Sequence, residues 1–168
     1  MFDIIRNTTQ KSKVYMNPQQ RLNSIGLTLP PPPSPIGAYV PAVKSQDQII
    51  ISGQLPITDG KIKFSGTLGL DMTVEDGACA AELCAINALS ILNYVNKGLD
   101  KLRIIKINGY IRSTNTFSEH PIVLNGASNL FGKIFEDQGK HARAVVGVNS
   151  LPMGAAVELE VIASTIQG

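Results

Sequence analysis

The stretch Ala142-Arg-Ala-Val-Val-Gly-Val-Asn-Ser-Leu-Pro-Met-Gly-Ala-Ala-Val-Glu-Leu-Glu-Val-Ile-Ala163 decides the fold of this chain. Two apolar runs, 143–148 and 156–163, flank a turn at 149–154 that contains proline and glycine, and this pattern predicts two strands. The first strand is apolar on both sides, because Val145 points to one face and Val146 to the other. Strands of this kind occur where both faces of a sheet are covered. Helices can cover one face, and we expect a second subunit to cover the other.

Three further segments have strand patterns: residues 38–43, 48–53 and 102–112. Only four residues separate the first two segments, which predicts a hairpin. The third segment alternates apolar and polar residues, as expected for a strand. Residues 58–63 read as a turn or loop.

Two longer helices are predicted between these strands. Thr73 followed by Asp76 matches a capping box, and the apolar residues that follow recur at helical spacing until Gly98. Pro121 suits the first turn of the second helix, which ends before Gly139. The resulting order, β-β-α-β-α-β-β, predicts an α+β fold with a mixed sheet and both helices on one face.

The N-terminal part differs in composition from the rest. The run Leu29-Pro-Pro-Pro-Pro-Ser-Pro35 favours an extended, stiff connector. Before it, Asn17 as N-cap and Gly26 after the end predict a short helix that has Pro in its first turn. We therefore divide the chain into an N-terminal arm, 1–34, and a compact domain, 35–168.

Composition excludes several classes of protein. The chain has 168 residues, 43% of them hydrophobic, which excludes intrinsic disorder. A formal net charge of +2 and 5% aromatic residues argue against a nucleic-acid partner. The first residues lack the apolar core of a secretory signal, and no uninterrupted apolar run reaches the ~18 residues of a membrane span. We therefore expect a cytoplasmic protein that has no membrane partner.

The two cysteines, Cys79 and Cys84, lie in one Ala-rich helical segment. They are too few for a disulfide framework and are predicted to be buried, inert thiols. The two histidines, His120 and His141, lack the spacings of zinc sites, so no metal is expected.

A charged group in the last two strands is the main candidate site. Arg143 begins one strand, and Glu158 and Glu160 share one face of the other. We expect these strands to be adjacent because a short turn joins them. An arginine can hold a carboxylate while a glutamate orients water. The pattern alone favours an exposed ion pair over a binding site, and Tyr39 and Asn125 are likewise ambiguous.

Three motifs together are more specific than their parts. They are Ile36-Gly-Ala-Tyr-Val40, Ile51-Ser-Gly-Gln-Leu-Pro56, and residues 142–152 together with 157–163. In this order they resemble the RidA/YjgF family over residues 35–165. The chain departs from that family at Val145, where many members have cysteine, and at Gly147, where Glu or Gln is frequent. The N-terminal arm lies outside the family's usual short version.

The resemblance implies a chorismate-mutase-like α+β fold and a homotrimer with clefts between subunits. It also implies the deamination of 2-imino or 2-enamino acids to 2-keto acids and ammonia, without a cofactor. Arg143 falls on the arginine that binds the substrate carboxylate, and Glu158 on the glutamate that orients water. Tyr39, Gly53 and, less directly, Asn125 fall on positions that bind the substrate.

Two other functions remain open at this point. A keto-acid sensor would use the same arginine without turnover, but it would have little need for Glu158. RNA binding or cleavage would require a basic patch with aromatic residues, which the composition does not favour.

Overall fold

The computed structural model describes residues 15–33 and 37–166. The predicted domain boundary at 34/35 lies outside the described residues. In chain order the elements are α1 Pro18–Ser24, β1 Ala42–Ser45, β2 Gln48–Gln54, β3 Ile57–Thr58, β4 Lys61–Ile62, α2 Val74–Asn96, β5 Leu102–Arg112, α3 His120–Phe135, β6 Ala142–Val148 and β7 Val157–Thr165.

Five strands form one mixed sheet in the order β1-β2-β7-β5-β6. Only β5 and β6 are parallel within it, and the other neighbouring strands are antiparallel. Along β7, buried residues such as Leu159 alternate with half-exposed ones such as Glu158. The buried side chains form one core with those of α2 and α3. The predicted α+β fold, with these two helices on one face of the sheet, is confirmed.

The predicted adjacency of the last two strands is wrong, because β5 lies between β6 and β7. Chain neighbours pair in most sheets, but here β7 returns to pair on both sides in the middle of the sheet. As a result β6 is an edge strand, and its valines are exposed or half-exposed rather than buried.

Two local predictions also need correction. The first strand begins at Ala42 rather than residue 38, since Pro41 has no N–H and only its carbonyl accepts a bond, from Ser52 N at 3.0 Å. The predicted loop 58–63 overlaps the two-stranded hairpin β3–β4, which begins at Ile57. Asp59 and Gly60 both have positive φ, 53° and 72°, as a type I′ turn requires.

Helix α2 begins with the predicted capping box, in which Thr73 and Asp76 bond each other's backbone N–H groups. It is the only described helix long and apolar enough to span a membrane, with a mean hydropathy of 1.4, but its inward face is part of the core. Cys84 is buried as predicted, whereas Cys79 is exposed. Five helical positions rotate a side chain by about 140°, so the two thiols point in different directions.

Helix α1 is confirmed with Asn17 as its N-cap, and Gly26 follows its end with a φ of 71°. Leu22 is fully buried in the core, and Arg21 donates to the carbonyl of Ile134. Over residues 15–33 the N-terminal arm therefore packs against the domain.

Candidate functional site

A cavity of about 220 Å³ lies where the end of β2 meets β7. Its lining includes Pro33, Tyr39, Gly53, Asn87, Pro152 and Glu158, and we call it the Glu158 pocket. Three of the five site residues predicted from the sequence, Tyr39, Gly53 and Glu158, thus come together.

The contact between Gly53 and Glu158 depends on the missing side chain at residue 53. A Cβ atom there would lie 1.9 Å from Glu158 Oε1, so only glycine lets the carboxyl lie over the β2 backbone. The regular β2–β7 pairing is interrupted between Ile51 and Gln54, as at a β-bulge. Bulges commonly redirect side chains beside active sites.

The carboxyl of Glu158 is in an environment that disfavours its charge. Partial burial and, second, the nearby charge of Glu160 raise its pKa above the usual range. Glu160 is itself held by Tyr110 Oη, which donates at 3.0 Å, and by Asn108 Nδ2 at 3.1 Å. Among the described residues, no cationic side chain forms an ion pair with Glu158. A half-buried carboxyl of raised pKa holds a proton more readily than an ordinary glutamate, which suits a group that accepts and returns a proton.

The remaining two predicted site residues lie together elsewhere. Arg143 Nη1 donates to Asn125 Oδ1 at 2.8 Å and to Ser128 Oγ at 3.2 Å. Its Nη2 donates to the carbonyl of Pro121 at 3.3 Å. These contacts fix the guanidinium against α3 at the exposed edge of the sheet, and we call this group, with His141, the Arg143 edge.

Within one chain the two groups are apart. In the sheet, Arg143 and Val161 both pair with Ile107, whereas Glu158 pairs with Tyr110. Two strand spacings and three residue rises give a Cα separation of about 14 Å. The two side chains also lie on opposite faces of the sheet. Arg143 contacts α3 and so lies on the helix-covered face. Glu158 alternates with the buried residues of β7, which face the helices, and so lies on the other face.

His141 and Ser128 support Arg143 and were not predicted as site residues. His141 Nδ1 lies 2.6 Å from the carbonyl of Gly139, which can only accept, so this nitrogen carries the proton. In the neutral ring, the other nitrogen accepts from the Ser128 hydroxyl at 3.1 Å, and the Ser128 oxygen accepts from Arg143. The available signal was spacing: Asn125 and Ser128 are three residues apart and share one helix face.

Gly147 lies beside a second polar pair on the same edge. Ser113 Oγ and His120 Nε2 are 3.0 Å apart, and a Cβ atom at Gly147 would come within 2.6 Å of the imidazole. This pair therefore occupies the space that a Glu or Gln at position 147 would need. In the part of the chain that the structure describes, no three potential metal ligands are grouped.

Comparison with known proteins gives consistent matches. Residues 19–164 match the family model described as "YjgF/chorismate_mutase-like, putative endoribonuclease". Protein TCP17 of Trypanosoma cruzi is 40% identical over 143 residues, which cover 84% of this chain and 89% of that protein.

One solved structure and one yeast protein extend the comparison. The crystal structure of a "putative endoribonuclease" from Shewanella oneidensis superposes with a TM-score of 0.86 at 31% identity, covering 89% of this chain and 99% of that one. The yeast protein MMF1, which its name places in mitochondria, is 30% identical over 84% of this chain and 83% of its own length. With a mitochondrial protein among its relatives, the cytoplasmic location of this chain stays a prediction.

Proposed function

Because the chain belongs to the RidA/YjgF family, we propose that it is a deaminase that hydrolyses 2-imino or 2-enamino acids to 2-keto acids and ammonia. The reaction takes place in clefts between the subunits of a homotrimer. Each cleft combines the Glu158 pocket of one subunit with the Arg143 edge of the next.

The observation that supports this proposal is that each of the two groups is incomplete alone and offers what the other lacks. Glu158 is partly desolvated beside an apolar cavity and has no ion-pair partner in the described chain. Arg143 uses three of its five N–H donors on α3, which leaves two for a ligand. A small carboxylate with an electrophilic carbon would use both groups at once, but the ~14 Å separation prevents this within one chain.

A head-to-tail ring accounts for the exposed apolar residues of the sheet. Val43, Ile50 and Val146 are 51%, 42% and 51% exposed. They lie on strands whose opposite face packs on the helices. Heterologous interfaces that close into a ring bury such a face in every subunit and place different residues of neighbouring chains together.

In the proposed mechanism, Arg143 binds the substrate carboxylate and thereby fixes the C=N carbon beside Glu158. Glu158 takes a proton from water as the water oxygen bonds to that carbon, and the C=N electron pair moves to nitrogen. Glu158 then returns the proton to the amine. Glu158 next takes the proton of the new hydroxyl group as the C=O bond forms and the C–N bond breaks, and it passes this proton to the departing nitrogen, which leaves as ammonia. The 2-keto acid remains. Water is the only co-reactant.

Complementation between inactive variants tests both parts of the proposal. Arg143→Ala and Glu158→Gln chains with different tags are co-expressed, and oligomers that contain both are purified through both tags. Every mixed ring of three has one cleft with an intact arginine and an intact glutamate. We expect about a third of the wild-type imine hydrolysis, whereas each parent variant has almost none.

Two differently tagged Arg143→Ala chains serve as the control, since no arrangement of them restores a cleft. Mixed trimers without recovered activity would contradict a shared site. A wild-type protein that binds 2-oxobutanoate but does not accelerate imine hydrolysis would be a sensor. Hydrolysis of RNA that is lost in both variants would assign the site to the activity in the family's description.

A further inference from the structure

The N-terminal arm reaches the Glu158 pocket along α2. Leu27 and Leu29 pack against the core, and the hydroxyl of Ser90, which is 2% exposed, donates a hydrogen bond to the carbonyl of Pro30. These contacts hold the chain three residues before Pro33 in a fixed place on the helix.

From this anchor the proline run continues to the cavity. Pro31 and Pro32 are exposed, whereas Pro33 is half-buried and lines the same cavity as Tyr39 and Glu158. Successive prolines restrict the backbone to an extended form, so the position of Pro33 follows closely from that of Pro30. The arm is therefore built as a stiff wall rather than as a loose cover.

The cavity that this wall closes is small and mainly apolar. Its apolar side-chain walls are Pro33, Pro41, Leu55, Ile57 and Pro152, and its polar side chains are Tyr39, Gln54, Asn87 and Glu158. Asn87 is 3% exposed, and its amide group already donates to the carbonyls of Leu55 and Ile57 at 3.0 Å each. The volume of about 220 Å³ is somewhat larger than a cavity of ~150 Å³ that binds one benzene molecule.

We propose that Pro33, held in place by the anchor at Pro30, forms a specificity wall of the Glu158 pocket and limits the substrate side chain to small apolar groups. This inference rests on the proposed function, because it names the substrates of the same site. Imino acids derived from alanine and 2-aminobutyrate are accepted in preference to those from leucine and phenylalanine. Acidic side chains are excluded, because the described residues of the lining include the carboxyl of Glu158 and no cationic side chain that could act as their partner.

Two proline variants make a matched test. Pro33→Ala removes ring atoms from the cavity wall, while Pro31→Ala makes the same change at an exposed position of the same run. The kcat/KM values are measured for imines generated in the assay from alanine, 2-aminobutyrate, leucine and phenylalanine. We expect Pro33→Ala to raise the leucine-to-alanine ratio about tenfold, as one methylene-sized change in an apolar pocket does. Pro31→Ala should change it by less than about twofold.

A third variant, Ser90→Ala, removes the anchor without touching the cavity. A wall held by Ser90 should shift the ratio in the same direction as Pro33→Ala but less, whereas a purely structural serine would lower all four kcat/KM values equally. Equal ratios in Pro33→Ala and Pro31→Ala would overturn the wall.

Calorimetric binding of the corresponding 2-oxo acids separates failure of this inference from failure of the proposed function. Suppose that no imine is hydrolysed but Pro33→Ala still improves the relative affinity for the leucine-derived oxo acid. This result would support the specificity wall and contradict the deaminase function. If imines are hydrolysed but Pro33→Ala leaves the leucine-to-alanine ratio of kcat/KM unchanged, the result would support the deaminase function and contradict the specificity wall.

Discussion

The Glu158 pocket and the Arg143 edge place their charged groups in opposite electrostatic environments. Glu158 is desolvated and has Glu160 beside it, so its charge is disfavoured and its pKa is raised. Arg143 is exposed and bonded by three acceptors of α3, so its charge is solvated and its orientation is fixed. The first environment suits a group that exchanges protons, and the second suits a permanent anchor for an anion. For the proposed reaction, this difference favours proton transfer by the glutamate and substrate binding by the arginine.

The largest expected effect comes from Glu158→Gln, which keeps the shape of the side chain but cannot take a proton. Loss of a general base lowers kcat by about 10²- to 10⁴-fold. The affinity for 2-oxobutanoate should change little, because the group acts mainly in the transition state. Steady-state kinetics and calorimetry check this pair of outcomes. A large loss of affinity with unchanged kcat would reverse the roles assigned above.

Arg143→Ala is expected to weaken binding of 2-oxobutanoate by about 30- to 4,000-fold, the equivalent of about 2–5 kcal/mol. The matched control is Arg103→Ala, since Arg103 is an exposed strand arginine on β5 away from both groups. Calorimetry on both variants gives the comparison. Equal small losses in the two would mean that Arg143 contributes only general charge.

How far the sequence predicted these two groups depends on the range of each interaction. The caps of α1 and α2 were predictable because Asn17 with Gln20 and Thr73 with Asp76 interact three residues apart. The Asp59-Gly60 turn has an equally local signal, which predicted a turn or loop at 58–63 but not the two short strands that the turn joins. The five site residues came from motifs, and the structure groups them three and two.

The features that the sequence did not predict depend on contacts between residues far apart in the chain. Nothing in β6 or β7 indicates that β5 pairs between them, so Arg143 and Glu158 were expected side by side. Ser128 was missed because its role is visible only through its bonds to His141 and Arg143. Pro33 was assigned to a connector, and its place in the cavity wall follows from tertiary contacts of the arm.

The raised pKa of Glu158 gives a pH prediction of intermediate size. Folded protein binds this proton more readily than unfolded protein, so the stability contribution is present below the unfolded pKa and is lost as pH rises through the folded pKa. Glu158→Gln cannot ionise and should therefore melt at a higher temperature than wild type at pH 7. Near pH 3.5 the two melting temperatures should converge.

Kinetics provide an independent readout of the same group. In wild type, the acid limb of the pH profile of kcat/KM should lie at a pH above the pKa of an ordinary glutamate. Glu160→Gln removes the neighbouring charge and should move this limb to lower pH. An acid limb that does not move would mean that Glu160 has no influence on the reacting group.

The smallest effect concerns α2, the helix behind the Glu158 pocket, because the desolvation of Glu158 requires that α2 stay packed against β7. Cys79 is exposed on α2, while Cys84 is buried against β7, and burial followed by the charge of Glu158 raises the pKa of its thiol. One thiol per chain should therefore react rapidly with a disulfide reagent, and the second only on unfolding. Cys79→Ser should abolish the rapid reaction without changing the slow one. Rapid reaction of Cys84 would mean that α2 opens readily from β7, and the desolvation assigned to Glu158 could not then persist.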